Sequence, residues 1–351
     1  MIKIENLSVA FEGAEVVKNV TIEIADGEIV GVVGESGSGK SVTALTLMGL
    51  SKEDAVITKG RILFEDVVLA EAGKPKNKAL YRKYQGDEMT MIFQEPMTSL
   101  NPTQRVGMQV EEVLKLHTKM SKEERKAKVL ETFSAVGLKD AERVYRSYPH
   151  QLSGGMRQRA MIAMAIILKP KLLVADEPTT ALDVTVQNQI ITLLKEINEV
   201  QQNAMLFITH DLNLARRLCD KIVVMKDGEI VESGTPDQIF NAPREAYTKR
   251  LIEAVPSRMT KKIKHGSAEE ILRVEHLNVF YPNGDNSLFS RKEKKNKKSA
   301  CPPLTFYLFC VYYKHFDSTR SQRDSNRGIS SVGRATGWQP VGQRFEPAIL
   351  H

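Results

Sequence analysis

The 351-residue sequence predicts an α/β fold, and three observations carry that reading. Short apolar runs at strand period alternate with amphipathic stretches at helical period. The run from Ile29 to Val33 is uninterrupted by charge, as expected of a strand in a parallel sheet covered by helices on both faces. A mostly helical stretch from 107 to 168 reads as a separate subdomain inserted into the α/β unit.

Taken in order, residues 1 to 34 alternate or run apolar at strand period. There "ADGEIVGVVG" places an Asp26-Gly27 turn between two β runs, the cue for a hairpin. Helices are expected from Ser41 to Gly49, at about 107 to 117, and at about 121 to 136, the last opening on Ser121 as cap with Glu124 three residues on. Met156 to Leu168 and Val184 to Val200 follow as helices, separated by the short apolar strand Leu172 to Ala175. "NAMLFITH" and "KIVVMKDGEIVESG" close the series, the second as another Asp-Gly hairpin.

The formal net charge of +7 is unevenly placed. Residues 291 to 351 carry 12 Lys and Arg against 4 Asp and Glu, so the first 290 residues are close to neutral and show no nucleic-acid-type excess. The three cysteines, Cys219, Cys301 and Cys310, stand at no metal or disulfide spacing, which fits a reducing cytosol. No signal peptide is expected from the opening residues. The apolar run 304 to 313 falls short of the ~20 residues of a membrane helix, so the chain is not expected to cross a bilayer by itself.

After the apolar strand comes "GESGSGKS", then a helix. Gly34, Gly37 and Gly39 lack a Cβ, so the backbone through Glu35, Ser36 and Ser38 is free to curl with its N–H groups toward phosphate oxygens. The helix that starts near Lys40 adds its positive dipole end. In that arrangement Lys40 reaches the β- and γ-phosphates of a nucleotide and Ser41 holds Mg²⁺. The alternative is a Gly/Ser turn that binds nothing.

"LLVADEP" is a buried strand ending in two carboxylates. Neighbours on a strand point opposite ways, so Asp176 and Glu177 are expected in different roles: Asp176 at the Mg²⁺ water shell, Glu177 facing the attacking water as base or orienter. Read alone, the pair is also compatible with an ordinary strand end carrying two solvated acids.

The motifs "LSGGMRQR" (152 to 159), "FQEP" (93 to 96), "ALD" (181 to 183) and "ITHD" (208 to 211) resemble the signature, Q-loop, D-loop and H-loop of ATP-binding cassette ATPases, in family order across residues 1 to about 254. The resemblance implies a P-loop NTPase (RecA-like) core with an antiparallel β subdomain and an inserted α-helical subdomain. It also implies a head-to-tail dimer, a homodimer or a pair with a second ATPase subunit. Each ATP then lies between the phosphate loop of one copy, Gly34 to Val42, and Leu152, Ser153, Gly154, Gly155 and Met156 of the other. By the same resemblance Gln94 contacts Mg²⁺ and the attacking water, His210 contacts the γ-phosphate, and Asp183 works across the dimer. Phe11 stands where the family places an aromatic that stacks on adenine, a position that core packing would equally explain.

Met156 in place of the usual Gln, together with "FQEPMTSLNP", resembles the ATPases of oligopeptide, dipeptide and nickel importers. "FNAPREAYTKRLIEAVPS" is similar to their closing helix, where His-Pro-Tyr-Thr is common and Ala246-Tyr-Thr stands here. The resemblance implies peripheral attachment at the cytoplasmic face of the cell membrane, permease subunits as partners, an extracytoplasmic binding protein acting indirectly, and no nucleic acid. The competing reading is a soluble two-cassette protein of the translation-factor type, or an inactive truncated product.

The stretch "VEHLNVFY" (274 to 281) repeats "IENLSVAF" (4 to 11). Expected organisation is therefore a nucleotide-binding domain at 1–255, a linker at 256–270, the start of an incomplete second cassette at 271–298, and an irregular or disordered tail at 299–351. "SSVGRA" and "RFEP" in that tail resemble a transfer-RNA gene read as codons, so the tail is read as out-of-frame or read-through sequence.

Overall fold

The computed structural model describes residues 1–94, 99–180 and 182–254. The expected linker, the second-cassette start and the tail, with Cys301 and Cys310, lie outside the described residues.

Two sheets organise the described residues. The first is antiparallel, in the order β2-β1-β4-β5, built from β1 (Ile2–Phe11), β2 (Ala14–Ile24), β4 (Ala55–Phe64) and β5 (Val67–Glu71). The second runs β10-β9-β3-β8-β7-β6. It holds β3 (Ile29–Val33), β6 (Met89–Ile92), β7 (Leu172–Asp176), β8 (Ala204–Thr209), β9 (Lys221–Lys226) and β10 (Glu229–Gly234). All its pairings are parallel except β9 with β10, an antiparallel pair joined at Asp227-Gly228 as the sequence predicts.

The Asp26-Gly27 hairpin is corrected. β2 pairs with β1, whereas β3 pairs with β8 and β9, so this turn carries the chain from one sheet to the other. The hairpin at this end is β1–β2, turned at Glu12 and Gly13, both with positive φ (48° and 86°), the pair of left-handed conformations a two-residue hairpin turn uses.

The helices are α1 (Lys40–Leu47), α2 (Lys78–Tyr84), α3 (Val106–His117), α4 (Lys122–Ala135), α5 (Ala141–Arg146), α6 (Gly154–Ile166), α7 (Val184–Gln201), α8 (Leu212–Leu218), α9 (Pro236–Asn241) and α10 (Ala246–Glu253). Ser121 and Glu124 close the expected capping box on α4. α6 begins two residues ahead of the expected start at Met156, because Ser153 caps it by accepting the Met156 N–H. The helical insert α3–α6 lies between β6 and β7, as anticipated. Gly107 on α3 lies flat against Tyr145, and a Cβ there would meet the ring at 2.2 Å. Gly107→Ala is expected to lower stability by about 1–3 kcal/mol, the usual range for overpacking, read as a drop in the urea midpoint at unchanged slope.

Burial explains the uncharged run of β3. Ile29 and Val33 pack with the helical insert and α7–α8, while Val30 and Val32 pack between the two sheets with Ala44 and Leu47 of α1. Between them Gly31 leaves room for Cys219, whose Sγ would lie 2.6 Å from a Cβ at that position. β7 alternates in the same way: Leu173 and Ala175 face the helical insert, Leu172 and Val174 face α1. Asp176 continues the second series, which directs it toward α1. Because β3, β6, β7 and β8 run parallel, the segments leaving their carboxyl ends all emerge on one edge of the sheet, the usual location of ligand crevices in open α/β sheets.

Candidate active site

The phosphate loop leaves β3 at that edge. Gly34 is the point of closest approach, since a Cβ there would lie 2.2 Å from the Met225 carbonyl oxygen of β9. Gly37 and Gly39 take φ of 83° and 95°, in the left-handed region open to glycine. Inside the curl Lys40 is only 5% exposed, and its Nζ donates to the Gly34 carbonyl at 2.9 Å, the Glu35 carbonyl at 2.8 Å and Ser38 Oγ at 3.4 Å. Burial pushes the Lys40 ammonium below its ordinary pKa, against the opposing charges of Glu177 and Asp176. Gly39 caps α1 without a side-chain acceptor, so the first-turn N–H groups of Lys40, Ser41 and Val42 are left facing the loop for an anion. Ser36 is exposed on the rim.

The two carboxylates occupy separate positions. Ser41 Oγ donates to Asp176 Oδ1 at 3.0 Å. Burial raises the Asp176 pKa, countered by the Ser41 hydroxyl and Lys40. A serine hydroxyl and a carboxylate set side by side form the hard oxygen pair that Mg²⁺ takes, so these residues fit a Mg²⁺ carried by the nucleotide. Glu177 is no longer part of the strand. It turns out at φ 45°, and its N–H is donated to the Ile208 carbonyl at 3.0 Å. The expected split of directions is present, produced by this turn rather than by strand alternation alone.

Glu177 Oε2 gathers three groups. Gln94 Nε2 donates at 3.2 Å, Thr180 Oγ1 donates at 2.9 Å, and His210 Nδ1 lies at 3.0 Å. The Glu177 side chain is 13% exposed and that of His210 61% exposed, so the imidazole faces outward over a half-buried acid. One oxygen is thereby fixed, and Oε1 makes no hydrogen bond among the described residues. A carboxylate held this way is suited to accept a proton from, or orient, a water brought beside it.

The remaining expected residues are spread around this centre. Phe11 is half-buried at the end of β1, packed against the core between the sheets, where it pairs with Ala14. The next turn of β2 brings the Val16 carbonyl to within 3.1 Å of a Cβ at Gly39, so Phe11 stands on the strand pair that flanks the loop. Leu152 is buried and its carbonyl accepts Arg157 Nε at 3.1 Å. A Cβ at Gly155 would meet Val186 Cγ1 at 2.8 Å, and one at Gly154 would lie 3.5 Å from Leu182. Asp183 accepts the Val186 N–H at 3.0 Å and so caps α7. The 152–156 segment and the 182–186 segment therefore pack on each other within one chain, while the structure brings Lys40, Ser41, Asp176, Glu177, Gln94 and His210 together at the sheet edge. Thr180, Met225 and Tyr247, whose hydroxyl accepts the Glu35 N–H at 3.3 Å, escaped the sequence reading. Only Tyr247 had a signal, in Ala246-Tyr-Thr.

Comparison with known proteins is consistent with this geometry. Residues 17–180 match the ABC transporter family. The chain is 44% identical over 262 residues to the dipeptide transport ATP-binding protein DppD of Lactococcus lactis, covering 73% of this chain and 74% of that protein. The chain belongs to the ABC transporter ATP-binding proteins. It is also 43% identical to the peptidoglycan transport ATP-binding protein YejF of Agrobacterium fabrum (80% of this chain, 52% of that one). To the glutathione import ATP-binding protein GsiA of Escherichia coli it is 45% identical (73% and 42%). This ABC protein thus spans about half the length of those two relatives. Among solved structures it resembles the dimeric post-hydrolysis state of the ATP-binding cassette MJ0796 bound to ADP and Pi, with a TM-score of 0.59 at 31% identity over 67% of this chain and 99% of that one. The P-loop core with its antiparallel sheet and helical insert is therefore the cassette fold.

Proposed function

We propose that the chain is the ATP-hydrolysing subunit of a peptide importer, seated at the cytoplasmic face of the membrane. The observation that carries this is Glu177 fixed by Gln94, Thr180 and His210 beside the Lys40 loop and the Ser41–Asp176 pair. Lys40 and the α1 N-terminus bind the β- and γ-phosphates. Ser41 and Asp176, with Gln94 nearby, hold Mg²⁺, which when bound neutralises charge building on the phosphates. Glu177 takes the proton of the attacking water, and His210 lies close enough to reach the γ-phosphate. Phe11 offers its ring to the adenine. Most of the rate comes from placing these groups in advance.

Each closed site needs two cassettes. Ser153 and the α6 N-terminus of a second copy, or of a second ATPase subunit, cover the γ-phosphate held by Lys40, with Leu152, Gly154, Gly155 and Met156 shaping that cover. Since Gly155 rests on Val186, a shift of the Asp183 loop is transmitted to the 152–156 segment of the same chain. The relatives' names, which specify dipeptides, oligopeptides and glutathione, support a peptide over nickel and favour transport over the soluble two-cassette reading. An extracytoplasmic binding protein would choose the cargo.

The permease seat is a groove of about 330 Å³ between the sheet edge and the helical insert, with Leu50, Phe93, Val113, Leu116, Met161 and Met164 among its lining. It adjoins Gln94, and Leu116 is 73% exposed. A short amphipathic cytoplasmic segment of a permease fits such a groove and would feel any movement of Gln94. With the full chain co-expressed with a dipeptide permease pair, Leu116→Asp is expected to cut co-purified permease at least about 10-fold and to leave basal ATP turnover within about twofold. Permease recovery equal to wild type would remove the groove from the proposal, and recovery of ribosomes instead would replace transport by the soluble reading.

A further inference from the structure

Ala246-Tyr-Thr has no part in the proposed hydrolysis, yet the structure sets its tyrosine on the phosphate loop. The Tyr247 hydroxyl accepts the Glu35 N–H at 3.3 Å, while the Glu35 carbonyl accepts Lys40 Nζ at 2.8 Å. One loop residue is thus gripped from outside by Tyr247 and from inside by Lys40. The ring packs at the margin of the core, with Lys226 Nζ 5.3 Å from its centroid.

The helix carrying Tyr247 is braced at its start. Glu245 caps α10 without a side-chain hydrogen bond, which leaves its opening N–H groups in need of an acceptor. Glu232 of β10 instead ties down the entry to the helix: Oε1 accepts the Arg244 N–H at 2.9 Å and Oε2 the Glu245 N–H at 3.2 Å. Burial works against the Glu232 charge, but the Arg244 and Glu245 N–H groups hold its carboxyl below the usual carboxylate range. β10 is joined to β9 by the Asp227-Gly228 turn, and the Gly228 N–H is donated to the Ser38 carbonyl at 3.2 Å. Strand, helix and phosphate loop form one closed ring of contacts.

We propose that Tyr247 is a positioning residue for nucleotide binding, holding the phosphate loop in its curled form, with Glu232 as the brace that sets α10 in place. A loop rich in glycine loses much freedom when it closes on a phosphate. A contact that orders it beforehand lowers that cost and tightens binding. The loop is equally closed in ground and transition states, so the effect falls on the half-saturating ATP concentration and not on kcat.

The inference rests on the reading of the Lys40 loop as the phosphate site. In steady-state hydrolysis by the full chain, Tyr247→Phe, which keeps the ring and removes the acceptor, is expected to raise the half-saturating ATP concentration about 3–10-fold, the worth of one hydrogen bond. The expected kcat stays within about twofold, and the loss of stability without nucleotide stays within the ~1 kcal/mol of one hydrogen bond. Glu232→Gln shifts the same parameter in the same direction, and the double variant is no weaker than Tyr247→Phe alone, as for two groups acting through one contact. An unchanged half-saturating concentration in Tyr247→Phe overturns the inference, as does a fall in kcat that tracks lost stability. If Lys40→Ala abolishes binding while Tyr247→Phe changes nothing, only the role of Tyr247 fails. If Lys40→Ala binds ATP normally, the phosphate-loop reading fails with it.

Discussion

Glu177→Gln is expected to bind ATP and scarcely hydrolyse it, with turnover lower by about 10²–10⁴-fold, the range a positioned proton acceptor contributes. The amide matches the carboxylate in size and keeps an oxygen for Thr180 and Gln94, so the geometry around β7 survives. What disappears is the ability to accept a proton from water. Nucleotide affinity is expected to hold or rise, because the phosphate contacts come from Lys40 and the α1 N-terminus, and because a negative charge that acts on both Lys40 and Asp176 has been removed. If closure needs a second copy, the ATP-loaded variant is expected to run as a two-subunit species in light scattering. Wild-type turnover is then expected to rise more than linearly with protein concentration. Turnover unchanged by the substitution would take Glu177 out of the chemistry. A single-subunit mass at saturating ATP would exclude the homodimer.

The features most legible in the sequence were those whose cause is local. Three glycines within six residues, a lysine and a serine specify a curled loop opening a helix, because backbone freedom and an exposed helix start are written in adjacent positions. The capping box at Ser121 and the β9–β10 turn are local in the same sense. Asp26-Gly27 shows the limit: the dipeptide fixes a turn, but whether the flanking strands pair with each other is decided elsewhere, by β1 claiming β2 and by β8 and β9 claiming β3. The site shows a similar division. Asp176 facing Ser41 follows from alternation along β7, but Glu177 meeting His210 depends on a left-handed turn that the sequence "DEP" does not reveal. Thr180 carried no signal at all, and Tyr247 joins Glu35 across 212 residues of chain.

Lys40→Ala is expected to lose nucleotide binding by about 10²–10⁴-fold, since charge-assisted hydrogen bonds contribute about 1.5–3 kcal/mol each and the ammonium, on turning from the loop carbonyls to the phosphates, makes about two. The loop suffers as well. Without Nζ, the carbonyls of Gly34 and Glu35 and the Ser38 hydroxyl lose a shared donor, and the curl that presents the N–H groups has nothing at its centre. Part of this cost is offset, because the wild-type cation is buried and held below its ordinary pKa, so its removal also relieves a desolvation penalty. The net change in stability without nucleotide is therefore expected to be small, and the two effects separate in a thermal-unfolding experiment. ATP at about 100 times its Kd stabilises the wild type by about 2.7 kcal/mol, whereas a 100-fold weaker variant at the same concentration gains only about 0.4 kcal/mol. Lys40→Arg is expected to fail too, because a planar guanidinium does not fit where Gly34, Glu35 and Ser38 close around a compact ammonium. An ATP-induced shift of wild-type size in Lys40→Ala would mean that the loop carries no phosphate, and the assignment of Ser41, Asp176 and Glu177 around it would lose its reference point.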